Sequence, residues 1–161
     1  IMANRAFSSQ LEIKEQVQER LPILYADPRL VRQILINLIT NAIKYSSQSG
    51  TIEVIARMDP QNNMLLIVQD HGVGIPKDRI KEAMEPFGQI QDPTRSNTQQ
   101  GTGLGLPLTK AMAELHDGRL TLESDVGQGT TVTIRFPRDR VRLQPHENAE
   151  KSKIDIAQSA E

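Results

Sequence analysis

The seven residues MLLIVQD at 64–70 constrain the fold more than any other stretch of the chain. Continuous apolar side chains point to both faces of a strand, so this segment is expected in the interior of a sheet, flanked by neighbours. TIEVIARM (51–58) precedes it across the turn-rich link DPQNN, and the pair reads as a hairpin. RLTLES (119–124) and TTVTIRF (130–136) alternate cleanly on either side of VGQG and predict a second hairpin. LEIKEQVQ (11–18) also alternates and predicts a strand with one buried face.

Helical patterns separate these strands. Asp27-Pro28 pairs an N-capping acid with a proline at the first helical position. From there to about Tyr45, Leu30, Val31, Ile34, Leu35, Leu38, Ile39 and Ala42 recur at three- and four-residue spacing. DHGVGIP (70–76) reads as a turn and KDRIKEAM (77–84) as a short helix. A further helix follows Gly105 and runs to about His116, with Gly118 as its expected C-cap. Residues 85–103 lack periodicity, and a loop of that length in a compact domain predicts a functional lid or disorder. The polar composition after Pro137 predicts a disordered tail. The whole predicts an α/β two-layer sandwich: a mixed, mostly antiparallel sheet covered by helices on one face. A length of 161 residues is enough for one such domain.

Composition removes several functional classes. The 19 basic residues nearly balance 20 acidic ones, and aromatics make up 3%, which argues against a nucleic-acid or anionic-membrane surface. With no cysteine there is no disulfide, zinc–thiolate site or thiol nucleophile. No apolar run reaches the roughly 18–20 residues that span a bilayer, and no signal-peptide pattern opens the chain. The opening IMANRAFSSQ, without an initiator methionine, reads as the start of a piece cut from something longer.

Three features carry candidate chemistry. Gln33, Asn37, Asn41 and Lys44 fall within about 80° of one another on the first helix, in a stretch uncharged from 33 to 43. Amides on such a helix need partners. One asparagine alone fits a buried network, but the aligned set favours a ligand or metal site, and amide oxygens suit a hard cation such as Mg²⁺. Asp70, at the end of the central strand, fits either a turn-initiating acid or an acceptor for a ligand donor. The glycines of GTGLG (101–105) match neither a dinucleotide fingerprint, which needs a glycine where Leu106 stands, nor a Walker A loop. They serve equally as a helix entry or as an anion site at a helix N-terminus. His71, His116 and His146 form no metal-ligand spacing and no persuasive nucleophilic triad.

In this order, the pieces resemble the ATP-binding catalytic domain of bacterial two-component sensor histidine kinases, which shares a superfamily and the Bergerat-type sandwich with DNA gyrase, Hsp90 and MutL. QILINLITNAIKYS (33–46) resembles the N box, DHGVGIP (70–76) the G1 box and EPFGQI (85–90) the F box. GTGLGLPL (101–108) and GQGT (127–130) resemble the later glycine boxes. The resemblance spans roughly residues 10–137. It implies ATP and Mg²⁺ as cofactors, with Asn41 as metal ligand and Asp70 reading the adenine amino group. It places Tyr45, Gly72 and Gly74 beside the base and Asn37 and Lys44 in the catalytic role, Lys44 toward the phosphates. Gly101, Gly103, Leu104 and Gly105 would border the phosphates, with Thr130 in the last glycine box. Phe87 would pack at the base of a lid over about 88–100.

The activity implied is transfer of the ATP γ-phosphate to a histidine on an upstream helical hairpin, for relay to a response-regulator aspartate. No histidine here sits in an acceptor motif, so the chain alone is expected to bind ATP without phosphorylating itself. The implied organisation is a linker at 1–10, the catalytic domain at 11–137 and the tail at 138–161, in the cytoplasm, with or without an inner-membrane anchor in the parent. Gyrase and Hsp90 relatives carry a Glu base where Asn37 stands, and an amide cannot take up a proton at neutral pH, so transfer is favoured over the ATPase reading. Gln89 replaces a basic residue usual in the family, with Arg95 as a candidate substitute, and this keeps a binding-module reading open. Pro107 replaces a usual Ala in the first turn of its helix, where a missing N–H does little harm.

Overall fold

The computed structural model describes residues 11–46, 50–88 and 102–142. Five strands form one sheet in the order β1-β3-β4-β6-β5. These are β1 (Glu12–Val17), β3 (Thr51–Met58), β4 (Met64–Asp70), β5 (Arg119–Asp125) and β6 (Gly129–Phe136). The apolar strand β4 is the middle one, as its two-sided hydrophobicity requires. All pairings are antiparallel except β1 with β3, which is parallel. A parallel neighbour needs a crossover, and the helix α1 (Pro28–Tyr45) lies within it. The other helices are the short α2 (Ile80–Ala83), entered through a 3₁₀ turn at Lys77–Arg79, and α3 (Gly105–Glu114).

Side chains alternate across a strand, so the register sorts the sheet into rows. On the inner face, Val54, Val68, Val132 and Leu122 make one row, and Ala56, Leu66, Ile134 and Leu120 the next. Ile34, Leu38 and Ala42 of α1 and Met112 and Ala113 of α3 pack with them into one core. The opposite face carries Glu53, Gln69, Thr131, Thr133 and Arg135. At one end of the inner face the row changes character: Ile52 stands opposite Asp70, Asp70 opposite Thr130, and Thr130 opposite Ser124. Three polar residues therefore close an otherwise apolar surface.

The helices lie antiparallel. Asp27 caps α1 by accepting the Arg29 N–H at 2.8 Å. The Arg29 side chain grips the same carboxylate and holds its pKa down to about 2. At the far end of α3, His116 donates from Nδ1 to the Met112 carbonyl at 2.8 Å, and its Nε2 accepts the Asp27 N–H at 3.0 Å. One ring thus joins the start of α1 to the end of α3.

Three expectations shift. The buried face of β1 runs out before its end, because Val17 is 63% exposed on the sheet edge. The left-handed residue after α3 is Asp117 (φ 53°), not Gly118. Gly118 N–H bonds the Ala113 carbonyl, and a side chain at 118 would press on the carbonyls of Ala113 and Arg135. Glycine is needed there for close approach. The stretch expected to be disordered from 138 carries structure at its start, where Arg138–Arg140 form a 3₁₀ turn and Val141–Arg142 a short strand, β7. That strand pairs with β2 (Ile23–Leu24). Residues 143–161 lie outside the described part. Among the described residues no helix is long and apolar enough to cross a membrane.

Candidate functional site

The site grows from the polar row. Asp70 is 7% exposed, and its Oδ1 accepts the Gly72 N–H at 2.9 Å. Burial pushes this carboxyl above its ordinary pKa, while backbone N–H groups of Gly72 and Thr130 pull the other way. Behind it, the Ser124 hydroxyl donates to the Gly129 carbonyl at 2.7 Å and lies 2.9 Å from the Thr130 hydroxyl. It also accepts the Ile75 N–H at 2.8 Å. The loop 71–76 is therefore tied to β5 by one side chain.

Glycines let this loop lie against its neighbours. A side chain on Gly72 would run into the Tyr45 carbonyl, and one on Gly74 (φ +69°) into the Asp125 carbonyl. The backbone bonds Val73 N–H to Tyr45 O (3.2 Å) and Gly127 N–H to Val73 O (2.9 Å) seal both contacts. The Asp70 loop thus sits directly under the last turn of α1. Gly129 (φ +103°) meets the Asp70 carbonyl in the same way.

The amide stripe of α1 faces α3. Gln33 Nε2 donates to Asn37 Oδ1 at 2.9 Å, and Asn37 Nδ2 donates to Thr109 Oγ1 at 3.3 Å. Asn41, one turn on, looks onto the first residue of α3: a methyl at Gly105 would come to 3.4 Å from Asn41 Nδ2. Lys44 lies along Tyr45, with Nζ 3.0 Å from the phenol oxygen and 4.8 Å from the ring centroid.

At the start of α3, Leu104 occupies the N-cap with no side-chain cap, and its N–H is bonded by Thr102 Oγ1 at 3.4 Å. Pro107 falls within the first turn. The Phe87 N–H bonds the Gly103 carbonyl at 3.1 Å, and Phe87 (φ 63°) and Gly103 (φ +69°) both take left-handed backbone. The Phe87 ring is 72% exposed, so its tie to this corner is through backbone rather than by packing. Gly101, Gln89, Arg95 and most of the expected lid lie outside the described residues.

Asp70, Gly72, Gly74, Tyr45 and Thr130 thus gather at one pole of the candidate site, and Asn37, Asn41, Gly103, Leu104 and Gly105 at its flank. Lys44 lies one turn beyond Asn41, alongside Tyr45. Among the described residues no group of three or more His, Asp or Glu could hold a metal by itself. A cation that borrows phosphate oxygens fits better, because Mg²⁺ is commonly held by one or two protein ligands plus its nucleotide. The Asn41 amide facing a bare glycine suits that arrangement. Thr109 and Ser124 were not singled out from the sequence. Ser124 alternates into a strand pattern and Thr109 falls within a helical one, and only their positions on buried faces could have flagged them.

Residues 26–140 match the family described as histidine kinase-, DNA gyrase B-, and HSP90-like ATPase. The chain belongs to that family. The cell-division control histidine kinase PdhS of Brucella abortus (strain S19) is 34% identical over 148 residues, covering 88% of this chain and 14% of PdhS. The Brucella anthropi protein of the same name is 33% identical with the same coverage. The chain thus spans 14% of the length of these curated relatives. Full-length ShkA, solved in complex with AMPPNP, superposes with TM-score 0.74 at 27% identity, over 89% of this chain and 28% of ShkA. The Acinetobacter baumannii histidine kinase AdeS gives 0.67 at 25%, over 86% and 59%. The mycobacterial sensor histidine kinase MprB gives 0.70 at 24%, over 88% and 89%, a likeness of fold. This ATPase-family domain is therefore homologous to the catalytic domains of sensor histidine kinases.

Proposed function

We propose that this domain binds Mg²⁺-ATP and serves as the kinase module of a sensor histidine kinase. Asp70 would accept the adenine amino group, with Gly72 and Gly74 bordering the base and Tyr45 beside it. Asn41 would hold Mg²⁺ together with phosphate oxygens, and the start of α3, from Gly103 to Gly105, would face the phosphates. Magnesium, when bound, supplies neutralisation of the phosphate charge. An imidazole nitrogen on an upstream helical hairpin would attack the γ-phosphorus in line, the bond to the bridging oxygen would break, and ADP would leave. The phosphoryl group would then pass to a response-regulator aspartate. The hairpin, in a dimeric parent, and the regulator are the proposed partners. The proposed setting is the cytoplasm, with 11–137 as the catalytic unit. AMPPNP in the ShkA complex supports nucleotide binding in this fold.

The observation that carries the transfer reading is Asn37. Its amide is engaged by Gln33 and Thr109 at the helix–helix seam, where a hydrolytic relative needs a carboxylate base. Titration of the chain with ATP, with and without Mg²⁺, should show metal-dependent binding. The full-length protein should form an acid-labile phosphohistidine. Asn41→Ala should weaken binding about tenfold in Mg²⁺ but little in EDTA, at unchanged melting temperature. Steady-state hydrolysis by this chain that survives Asn37→Ala would overturn the assignment.

A further inference from the structure

The seam between α1 and α3 holds a polar tie that packing does not require. Thr109 is fully buried, on the helix that gives Met112 and Ala113 to the core. A buried hydroxyl costs stability unless it is bonded. The Thr109 oxygen accepts from Asn37 Nδ2 at 3.3 Å. Asn37 is held from its other side by Gln33, whose Nε2 donates to Asn37 Oδ1 at 2.9 Å. The amide is thus fixed twice, once along α1 and once across to α3.

Asn41 lies four residues after Asn37 on α1, and Gly105 four residues before Thr109 on α3. Four residues are about 6 Å along a helix, and the two helices run antiparallel. Asn37–Thr109 and Asn41–Gly105 are therefore successive rungs of one ladder. The second rung is the approach of the Asn41 amide to the bare backbone of Gly105. Apolar packing between helices has no direction, so it permits small slides and rolls along the seam. A bond to a buried hydroxyl is directional and resists them. We infer that Thr109 is a positioning residue: acting through Asn37, its hydroxyl fixes the axial register of α3 against α1 and so sets the start of α3 opposite the Asn41 amide. A cation shared between Asn41 and phosphate oxygens at that helix start would need the two at a fixed separation. The inference rests on the Mg²⁺-ATP proposal above and adds the residue that holds the two helices of the phosphate end in step.

The test separates the hydroxyl of Thr109 from its methyl group. ATP affinity of the chain is measured in Mg²⁺ and in EDTA, and thermal unfolding is followed without nucleotide. Wild-type chain should bind ATP more tightly in Mg²⁺. Thr109→Val keeps the shape and loses the bond, so this enhancement should fall about threefold, with EDTA affinity and melting temperature close to wild type. Thr109→Ser keeps the bond and loses the methyl, so it should melt lower yet retain the wild-type enhancement. In an Asn37→Ala background, Thr109→Val should change the enhancement no further, as a double-mutant cycle requires for coupled residues. A merely structural role would make the enhancement follow melting temperature, with serine worse than valine, and that result overturns the inference. If Thr109→Val fails to fold by circular dichroism, Thr109→Ala is compared with Thr109→Ser, since only the hydroxyl separates them. Equal enhancement in those two overturns the inference. Wild-type chain that binds no ATP, or binds it equally in Mg²⁺ and EDTA, would remove the Mg²⁺-ATP proposal together with this one. A normal wild-type enhancement that Thr109→Val leaves intact removes this one only.

Discussion

The two ends of the candidate site are built differently. At the Asp70 pole the polar side chains stand on strands in the middle of the sheet, and the loop above them is clamped by hydrogen bonds to Tyr45, Gly127 and Ser124. At the Gly103–Gly105 flank, the approach to α3 is tied down by the Phe87–Gly103 backbone bond and a long contact from Thr102, with the Phe87 ring outside. The pole that would recognise the base is part of the core. The flank that would meet the phosphates hangs from a helix entry. Among the described residues, the Asp70 pole is thus held by more contacts than the Gly103–Gly105 flank.

The sharpest way to break this contrast is Gly72→Ala. The added methyl would collide with the Tyr45 carbonyl, and backbone cannot yield as a flexible side chain does. A loss of about 3 kcal/mol in denaturant unfolding is expected. A loss below the scatter of the measurement would show that the pole is softer than its contacts imply.

Asp70→Asn should act in two directions at once. Burial raises the Asp70 carboxyl above its ordinary value of 3.8, so just above that pH the folded chain keeps a proton the unfolded chain has released. Stability therefore falls as pH rises through that window, and at neutral pH the ionised group is a cost. The variant should melt higher than wild type at pH 7, with the difference vanishing as pH drops below the ordinary carboxylate range. Its preference for ATP over GTP should fall about tenfold. A variant that melts lower at pH 7 would mean the backbone donors outweigh burial.

The smallest effect is expected at the flank. Gly105→Ala places a methyl at ordinary contact distance from the Asn41 amide and adds helix propensity. Thermal unfolding should change by no more than about 0.5 kcal/mol, while Mg²⁺-dependent ATP binding weakens through crowding of Asn41. A stability loss comparable to that of Gly72→Ala would erase the distinction between the two ends.

What could be read in advance follows the same divide. Hydrophobic period marked both hairpins, the central place of β4 and the span of α1, because burial against a common core enforces alternation or helical spacing over many residues. The N-box amides and Asp70 stood out as polar residues in patterns that had no local use for them. Ser124 and Thr109 did not, because a hydroxyl fits either face of a strand or helix and its partners are known only once strands and helices are in register. The β2–β7 pair was equally hidden, being two residues a side and joined across more than a hundred positions. Asp117 escaped because the neighbouring glycine is the usual left-handed residue, yet Gly118 was needed for a different reason.

The parallel pairing of β1 with β3 has a topological consequence. Glu12 stands beside Thr51, so β1 begins at the same pole of the sheet as Asp70. Any residues upstream of Leu11 therefore join the domain on the side of the polar row, two strand spacings or about 10 Å from it. The other exit differs: β6 ends at Phe136 opposite Met64, at the far pole, and β7 carries the chain on beside β2. An antiparallel β1 would have put both connections at that remote end. As built, the described chain enters the sheet at the Asp70 end, through β1, and leaves it at the opposite end, at Phe136.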